Sequence, residues 1–330
     1  MKVAWAIEIA GTGAYVPTQV VTNEDFTKRL DTSDEWIVQR TGIRERRIVA
    51  PGQGTLDLSV NASRQALAEA GLRPDEIDLI ILATATPEHP LPATSCELQA
   101  ALGCGWIPAY DIGAACAGYV YAMVNAAHFI DSGMAARVLI LGSETLTSIT
   151  DMEDRGTAIL FGDGAGAAIL QPSADPNKGI LAARLGADGS RAKAVWVPGG
   201  GSAEPASIKT VNERLHYMKM RGREIYKFAV NTMSSLVKET AEDAGVGLDE
   251  LALVIPHQSN LRIIESAIGR LGIPMDKVSI NIDRFGNTSA ASIGLAFHEA
   301  RETGRIKSGD LVMLVAFGAG LTWGSALLRI

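Results

Sequence analysis

The sequence predicts an α/β protein built from two duplicated halves, and three observations point to that fold class. Short apolar runs without polar alternation, such as Leu79–Ala83, are typical of strands buried on both faces of a sheet. Amphipathic segments alternate with these runs, and the one at 56–70 is followed by Gly71, a residue type that commonly ends helices. The same succession of helix, glycine and strand occurs a second time later in the chain.

The repeat has a nearly constant spacing. The segment around Glu76 resembles the one around Glu250, 174 residues later, and the Ser-Gly pair at Ser132 matches the pair at Ser308, 176 residues later. Coincidence is the alternative, because helix–glycine–strand units are common in α/β proteins. Matched units in the same order favour duplication. The loop-like stretch 172–179 then predicts a boundary, with one half at 1–172 and the other at 173–330.

The individual elements follow from apolar runs, periodicity and glycine-containing breaks. In chain order they are a strand at 4–10, a turn at 11–15, a turn-like polar stretch at 31–42, a helix at 56–70, strands at 79–83, 110–112 and 138–141, a helix at 121–130, and strands at 251–255, 278–282 and 311–315.

The composition is that of a globular protein with a large core, since 47% of the 330 residues are hydrophobic and 20% are charged. The formal net charge of -7 argues against a general nucleic-acid binder. No apolar run approaches a membrane span, and Glu8 interrupts the N-terminus before it reaches the length of a signal-peptide core. Cys96, Cys104 and Cys116 show neither metal-ligand spacing nor an even disulfide framework, which predicts no metal site and a reducing cytoplasm.

Cys116 lies on a predicted strand-to-helix turn, after small residues at 113–115. Backbone N–H groups at a helix N-terminus are unpaired and carry partial positive charge, so they stabilise a thiolate. The turn therefore predicts a lowered thiol pKa and a usable nucleophile. The alternative is a buried cysteine that packs as a small hydrophobe, and the turn by itself leaves both interpretations open.

The second half supplies polar residues at the ends of predicted strands. His257 occupies the place of Ala83 in the repeat, at the carboxyl end of a strand, where ligands gather in α/β sheets. A lone histidine there is as often structural as catalytic. Asn287 precedes a predicted helix, and a turn or cap role is its usual interpretation. The glycine-rich turn at 317–324 either offers backbone N–H groups to an oxyanion or is a plain hairpin.

Taken in order, these motifs resemble the ketoacyl synthase III branch of the thiolase-like superfamily over nearly the whole chain. The motifs are 31–46 (Asp-Thr-Ser-Asp-Glu-Trp to Arg), 114–118 (Ala-Ala-Cys-Ala-Gly), 154–157 (Asp-Arg-Gly-Thr), 161–166 (Phe-Gly-Asp-Gly-Ala-Gly), 256–262 (Pro-His-Gln-Ser-Asn-Leu-Arg), 286–292 (Gly-Asn-Thr-Ser-Ala-Ala-Ser) and 320–324 (Gly-Leu-Thr-Trp-Gly). The resemblance implies a thiolase-like fold in which two duplicated α/β halves form α-β-α-β-α layers.

The resemblance also implies a reaction. Cys116 would take an acyl group from acyl-CoA, and His257 and Asn287 would hydrogen-bond the thioester oxygen of malonyl-acyl-carrier protein as it loses carbon dioxide. The carbanion would attack the acyl-cysteine, and the N–H groups of Cys116 and Ala319 would receive the resulting oxyanion. This reaction initiates type II fatty acid biosynthesis and needs no cofactor. The family often has glycine at the place of Ala319, which a backbone contact tolerates if φ is negative.

Binding roles come from the same resemblance. Trp36 and Arg155 would sandwich the adenine of CoA between them by stacking, Thr32 and Arg40 would contact its nucleotide end, and Asn260 would reach the pantetheine arm.

The basic stretch 213–227 is usually just a solvated face, yet Arg223 and Lys227 within it, together with Arg262, would contact the acidic carrier protein. The proline-rich segment 84–95 would lie at a homodimer contact and project Leu91 toward the acyl pocket of the partner. Relatives that prefer acetyl often carry an aromatic residue at that place, so Leu91 predicts primers longer than acetyl.

Four alternatives remain beside this interpretation. Gly11–Gly13 and Gly162–Gly164 would suggest a dinucleotide site, but neither completes a strand–GxGxxG–helix unit. A cysteine hydrolase would use the same cysteine, histidine and amide, although no water-activating group is evident. A non-catalytic partner subunit usually lacks the cysteine that this chain retains. A related acyltransferase or condensing enzyme of specialised metabolism is poorly separated by sequence.

Overall fold

The protein, described by a computed structural model over residues 2–330, is built from both strands and helices. The strands are β1 Lys2–Trp5, β2 Ile7–Tyr15, β3 Gln19–Thr22, β4 Glu45–Ile48, β5 Leu79–Ala83, β6 Ala109–Ile112, β7 Val138–Thr145, β8 Asp163–Pro172, β9 Gly179–Ala187, β10 Val195–Trp196, β11 Lys219–Met220, β12 Leu253–Pro256, β13 Leu311–Gly318 and β14 Thr322–Arg329. The helices are α1 Asn23–Thr27, α2 Asp34–Thr41, α3 Thr55–Ala70, α4 Thr94–Leu102, α5 Gly118–Asp131, α6 Arg155–Ala158, α7 Ile208–Asn212, α8 Gly222–Ala244, α9 Leu261–Gly269, α10 Ile282–Phe285 and α11 Ala291–Glu302.

Four strands of each five-stranded sheet follow one order, β2-β8-β7-β5 in the first and β9-β14-β13-β12 in the second, which confirms the predicted duplication. The first sheet runs β2-β8-β7-β5-β6, and the second runs β1-β9-β14-β13-β12. In the first, β5 is parallel to β6 and β7, and β7 is antiparallel to β8. In the second, β12 is parallel to β13, which is antiparallel to β14. An isolated parallel bridge from Val254 to Val278 stands where β6 pairs with β5 in the first sheet.

The layers follow the order helix, sheet, helix, sheet, helix, as predicted. Helices α5 and α11 lie between the two sheets, α3 covers the outer face of the first, and α8 with α9 covers the second. Strands β5 and β7 are buried along their entire length because helices cover both faces of their sheet. The N-terminal ends of α5 and α11 lie beside each other in this middle layer, since a Cβ on Gly118 would lie 3.5 Å from that of Ala290.

The predicted division into halves 1–172 and 173–330 stays a prediction, although β8 ends at Pro172. The predicted strand at 4–10 is in fact two strands that separate at Ala6. The first of them, β1, pairs with β9 in the second sheet, whereas β2 pairs with β8 in the first. The consecutive strands β1 and β2 therefore connect the two sheets at one end of the chain.

The predicted turn at 11–15 is wrong, because these residues form the second part of β2. A Cβ atom on Gly11 would lie 2.3 Å from the carbonyl oxygen of Ala66, and one on Gly13 would lie 2.0 Å from that of Ala62. The glycines thus allow α3 to pack directly on the strand backbone. They form no phosphate-binding loop, so the dinucleotide interpretation loses its first motif.

Two further segments differ from the prediction, each because of a specific hydrogen bond. The stretch 31–42 was expected to be turn-like, but Ser33 caps α2 by accepting the Trp36 N–H at 3.1 Å. The expected strand at 278–282 is reduced to the Val278 bridge. There the side-chain oxygen of Gln258 accepts the N–H groups of residues 281 and 282, which a strand would have paired with its neighbour.

Candidate active site

Cys116 lies on a tight turn between β6 and α5, as predicted. It is the middle residue of a short 3-10 turn, Ala115–Ala117, and Ala115 before it has a φ of 45°. A left-handed conformation costs a residue with a Cβ about 1–2 kcal/mol, so the surrounding packing must hold this turn in place. Gly118 begins α5, and a Cβ there would lie 2.7 Å from that of Ala83. The turn therefore sits directly against the end of β5.

The second half closes over this turn through the connection between β13 and β14. A Cβ on Gly318 would lie 2.6 Å from the backbone nitrogen of Cys116, so only glycine fits at this contact. The Thr322 hydroxyl donates to the Ala114 carbonyl oxygen at 2.9 Å. Ala319 lies beside Cys116 in the same cavity and has no positive φ, which meets the condition under which alanine replaces glycine there.

His257 comes directly after β12, and its backbone N–H donates to the Val315 carbonyl oxygen at 2.8 Å. Its Nδ1 lies 2.7 Å from the Ser292 hydroxyl, and its ring packs on Phe317 with centroids 5.6 Å apart. Burial lowers the pKa of His257 to about 3, because the imidazolium would lose its hydration. The ring is therefore neutral at physiological pH.

Asn287 lies between α10 and α11 and is fixed at both backbone atoms. Its N–H donates to the Leu160 carbonyl oxygen at 2.8 Å, and its carbonyl oxygen accepts the Gly162 N–H at 3.1 Å. The side-chain oxygen accepts the Ser289 N–H at 2.9 Å. Because that bond identifies the oxygen side of the amide, Nδ2 is the atom left to face the cavity as a donor.

One cavity of about 330 Å³ brings these residues together. Cys116, His257, Asn287, Ala319 and Asn260 all line it, and its remaining wall is mostly apolar, including Leu146, Phe161, Met218, Ile225 and Phe228. A largely apolar cavity with a few convergent polar groups is the usual form of a small-molecule site. The cavity therefore holds a thiol, a neutral imidazole and an amide donor within one apolar chamber.

The predicted lowering of the Cys116 pKa is wrong. Burial raises the pKa of the thiol to about 12, the Ser289 hydroxyl lowers it by hydrogen bonding, and the charge of Glu144 raises it further. The helix N-terminus was the signal available in the sequence, whereas the loss of hydration depends on packing around the turn. With this pKa the thiol is protonated at neutral pH.

Sequence reasoning missed Glu144, whose charge acts on Cys116. The residue is fully buried at the end of β7, and its carboxylate accepts from the Ala85 N–H at 3.0 Å and the Thr86 hydroxyl at 2.8 Å. Burial raises the pKa of Glu144, and hydrogen bonds, including one from Ser289, oppose that rise. A lone acidic residue at the carboxyl end of an apolar strand was the signal that could have identified it.

Among the residues expected to bind CoA, Asn260 lines the cavity, whereas Thr32, Trp36, Arg40 and Arg155 do not. The Arg155 guanidinium carbon is 4.9 Å from the centroid of Trp36, and that of Arg40 is 5.5 Å from it. Arg155 itself thus covers the ring face that was expected to receive adenine, and it also donates to the Asp31 carbonyl oxygen at 2.7 Å.

The two remaining residues expected to contact CoA lie close to this cluster. The Asn260 amide joins the cluster to the cavity wall, because Nδ2 donates to the Arg40 carbonyl oxygen at 2.9 Å. Its side-chain oxygen accepts the Arg262 N–H and caps α9. The buried Thr32 hydroxyl has no hydrogen-bond partner among residues 2–330.

The expected carrier-protein contacts lie on α8 and α9, two helices that also carry residues of the cavity wall. Arg223 and Lys227 are exposed on α8, whose Gly222, Ile225 and Tyr226 line the cavity, and Arg262 is exposed at the start of α9. Two other cations of the basic stretch form ion pairs within the chain, because Arg214 pairs with Asp151 and Glu153, and Arg221 pairs with Glu224.

Leu91 does not contribute to the cavity of its own chain. Its side chain is 86% exposed, in the irregular segment between β5 and α4. A fully exposed leucine is the arrangement that a role in a partner's pocket requires, and that role stays a prediction.

Within the part of the chain that the structure describes, no group of three or more His, Cys, Asp or Glu residues could hold a metal ion. None of the helices in residues 2–330 combines the length and the apolar character needed to cross a bilayer.

Two family models match the chain. The model described as 3-oxoacyl-[acyl-carrier-protein (ACP)] synthase III matches residues 110–189, and the one described as the C terminal of the same synthase matches residues 241–330. The first match contains Cys116, and the second contains His257, Asn287 and Ala319.

Full-length relatives agree with these matches. A beta-ketoacyl-[acyl-carrier-protein] synthase III of Caldanaerobacter subterraneus subsp. tengcongensis is 48% identical and covers 98% of both chains. One from Xanthomonas campestris pv. campestris is 50% identical, with 97% of both chains covered. The crystal structure of 3-oxoacyl-[acyl-carrier-protein] synthase III from Aquifex aeolicus is 47% identical and superposes with a TM-score of 0.92, covering 98% of this chain and 100% of that one. With this identity along its whole length, the chain belongs to the 3-oxoacyl-[acyl-carrier-protein] synthase III family of condensing enzymes.

Proposed function

We propose that this protein condenses an acyl-CoA primer with malonyl-acyl-carrier protein, with loss of carbon dioxide, and so initiates type II fatty acid biosynthesis. One observation carries the proposal: Cys116, His257 and Asn287 come from three separate elements and line one apolar cavity of about 330 Å³. The names of the relatives support the same reaction. The products are a 3-oxoacyl-acyl-carrier protein, free CoA and carbon dioxide.

In the first half-reaction Cys116 attacks the thioester carbonyl of acyl-CoA. The thiol must lose its proton in this step, and the burial that raises its pKa also strengthens every hydrogen bond that the thiolate receives in the cavity. The backbone N–H groups of Cys116 and Ala319 stabilise the oxyanion of the tetrahedral intermediate, which is worth several kcal/mol in comparable sites. The departing CoA sulfur takes up the proton that Cys116 loses, so CoA leaves as the free thiol.

In the second half-reaction malonyl-acyl-carrier protein loses its carboxylate. The electron pair of the broken C–C bond moves onto the thioester oxygen, where the Nδ2 of Asn287 and a ring N–H of His257 stabilise it. Because the histidine is neutral, it acts as a hydrogen-bond donor without delivering a full positive charge. The carbanion then attacks the acyl-cysteine, and the Cys116 thiolate leaves.

We further propose that the enzyme works as a cytoplasmic homodimer without a cofactor. All three cysteines are free, which is typical of a reducing compartment. In the dimer Leu91 would border the partner's acyl pocket, Thr32, Trp36, Arg40, Arg155 and Asn260 would bind CoA, and Arg223, Lys227 and Arg262 would bind the carrier protein. Light scattering at micromolar concentration that returned a monomer would contradict the dimer.

Intact-mass measurement after incubation with acyl-CoA tests the nucleophile. We expect one added acyl group on the wild type and none on Cys116→Ala, whereas Cys96→Ser, which removes an exposed thiol, should load normally. Replacing His257 or Asn287 by Ala should abolish carbon dioxide release from malonyl-acyl-carrier protein and leave loading intact. An adduct on Cys96 or Cys104, or loss of loading with normal decarboxylation, would overturn these assignments.

The same assays separate the alternatives. A cysteine hydrolase would release free acid from the acyl-enzyme, and a non-catalytic subunit would neither load nor decarboxylate. A condensing enzyme of specialised metabolism would load a different primer or use a different carrier, which a comparison of kcat/KM across primers and carriers would reveal.

A further inference from the structure

Ser292 faces the imidazole of His257 from the first turn of α11. Its Oγ lies 2.7 Å from Nδ1, and each of the two residues is only 1% exposed. The contact joins the end of β12 to the central helix that follows Asn287. The imidazole of His257 lines the cavity but Ser292 does not, so Nδ1 lies on the side of the ring away from the cavity.

Only one direction of this hydrogen bond satisfies both groups. If Nδ1 carried the proton, it would donate to Ser292, and the serine hydroxyl would need another acceptor. Within residues 2–330 the hydroxyl has no other hydrogen-bond partner than His257. A buried donor without an acceptor costs about 1–3 kcal/mol. The favoured arrangement therefore has Ser292 donating to an unprotonated Nδ1.

The proton of the neutral ring must then reside on Nε2. Burial holds the pKa of His257 at about 3, so the ring carries a single proton at physiological pH. The imidazole forms a T-shaped contact with Phe317, at an interplanar angle of 72°, which packs one side of the imidazole with apolar atoms. The Nε2–H group is thus left as the donor on the cavity side.

We propose that Ser292 is a positioning residue that holds His257 in the neutral Nε2–H tautomer and so makes it a hydrogen-bond donor to the malonyl thioester. This inference rests on the proposed function. During decarboxylation the bond between the malonyl C2 and its carboxylate breaks, carbon dioxide leaves, and the electron pair becomes an enolate on the thioester oxygen. The Nε2 proton stays on the ring throughout, so the ring stabilises charge without transferring a proton.

The tautomer has a consequence for the first half-reaction. An imidazole whose Nε2 is protonated and whose Nδ1 is occupied cannot accept the proton of the Cys116 thiol. Acyl loading therefore does not depend on Ser292, whereas decarboxylation does. A merely structural role for the serine would affect both half-reactions together.

Kinetic measurements on Ser292→Ala and Ser292→Thr test this split. We expect Ser292→Ala to lower the rate of carbon dioxide release roughly tenfold to hundredfold, since an unpaired Nδ1 costs about 1–3 kcal/mol and allows the other tautomer. Acyl loading followed by intact mass should proceed at the wild-type rate. Ser292→Thr keeps the hydroxyl and should restore decarboxylation. Ser63→Ala, at a fully buried serine in α3 whose hydroxyl has no partner among residues 2–330, is the matched control and should change neither half-reaction.

Nitrogen-15 NMR of histidine-labelled protein reads the tautomer directly, because protonated and unprotonated ring nitrogens resonate in separate ranges. The chain has five histidines, and the signals of His257 are those that disappear in His257→Gln. We expect a protonated Nε2 and a bare Nδ1 in the wild type, and a mixture of tautomers in Ser292→Ala. A wild-type ring protonated at Nδ1, or a Ser292→Ala variant with unchanged tautomer and unchanged decarboxylation, overturns the inference. If the wild type releases no carbon dioxide at all, the proposed function fails, while the NMR result still decides the role of Ser292.

Discussion

Replacing Gly318 by alanine should impair acyl loading on Cys116 although Cys116, His257 and Asn287 all keep their own side chains. Gly318 ends β13 at the closest approach of the second half to the Cys116 turn. An added Cβ would lie 2.6 Å from the Cys116 nitrogen, 3.1 Å from its Cβ and 3.2 Å from the Cβ of Ala115. The first of these atoms is backbone, so no side-chain rotation relieves the clash.

The size of the effect follows from these distances. Ordinary contact begins at 3.4 Å, so the turn or the strand must move by about 0.8 Å. Overpacking of this kind costs about 1–3 kcal/mol, and the loss of glycine entropy returns ~0.5–1 kcal/mol. A misplacement near 1 Å costs about a hundredfold in rate, so loading should fall by roughly one to two orders of magnitude.

The assay is the rate of acyl transfer from acyl-CoA, followed by intact mass, together with thermal unfolding. Gly269→Ala is the control, because a Cβ at that helical position finds nothing within 4 Å. It should load normally and melt no lower than the wild type. A Gly318→Ala variant with the wild-type loading rate and melting temperature would refute the reasoning, since the turn would then tolerate the displacement that the distances require.

Three further predictions concern titration and specificity. Alkylation of Cys116 by iodoacetamide, measured against Cys116→Ala, should accelerate roughly tenfold per pH unit from pH 7 to 10, because burial raises the pKa of the thiol to about 12. A plateau of the rate below pH 9 would show that the helix N-terminus lowers the thiol pKa more than burial raises it. Burial lowers the pKa of His257 from 6.5 to about 3, so the unfolded chain binds a proton between these pH values that the folded protein does not bind. The stability contributed by the neutral ring is therefore present above pH 6.5 and is lost as the pH falls toward 3. The urea midpoint of His257→Gln should decline less than that of the wild type over this pH range. The wild type should accept butyryl- and isobutyryl-CoA beside acetyl-CoA, and Leu91→Phe should shift kcat/KM toward acetyl by about 1–3 kcal/mol; identical primer profiles would remove Leu91 from the pocket.

The fold was predictable wherever burial leaves a continuous apolar signature. Leu79–Ala83 was predicted with its observed bounds, because both faces of that strand are covered and every residue is apolar. The strand at Gly11–Tyr15 was not, because its glycines resemble a turn until the helix backbone that presses on them is known. The strand expected at 278–282 failed for a similar reason, since a glutamine side chain from another segment takes the hydrogen bonds that a strand needs.

The candidate site was likewise predictable only in part. The positions of Cys116, His257 and Asn287 followed from a strand-to-helix turn, a repeat and a family resemblance. The electrostatics did not, because the pKa of the thiol depends on desolvation and on Glu144, a residue far away in sequence. Ser292 lies in a motif that the sequence displayed, yet nothing in the motif says which ring nitrogen it meets. Pairings between side chains of different elements exist only once the chain is folded.

The duplication explains why the chemistry lies between the halves. The end of β5 carries Ala83, and the equivalent end of β12 is followed by His257. Ala83 must stay small because α5 packs closely on it: even a Cβ added at Gly118 would lie 2.7 Å from the Cβ of Ala83. A larger side chain at position 83 would therefore push α5 away. The second is free to carry an imidazole, since α11 opposite it provides Ser292 as a hydrogen-bond partner. In the first half the small Ala83 thus leaves room for the turn that carries Cys116. In the second half the equivalent position is occupied by His257, the residue proposed to stabilise negative charge. We therefore expect an exchange such as Ala83→Ser to disturb Cys116 more than His257.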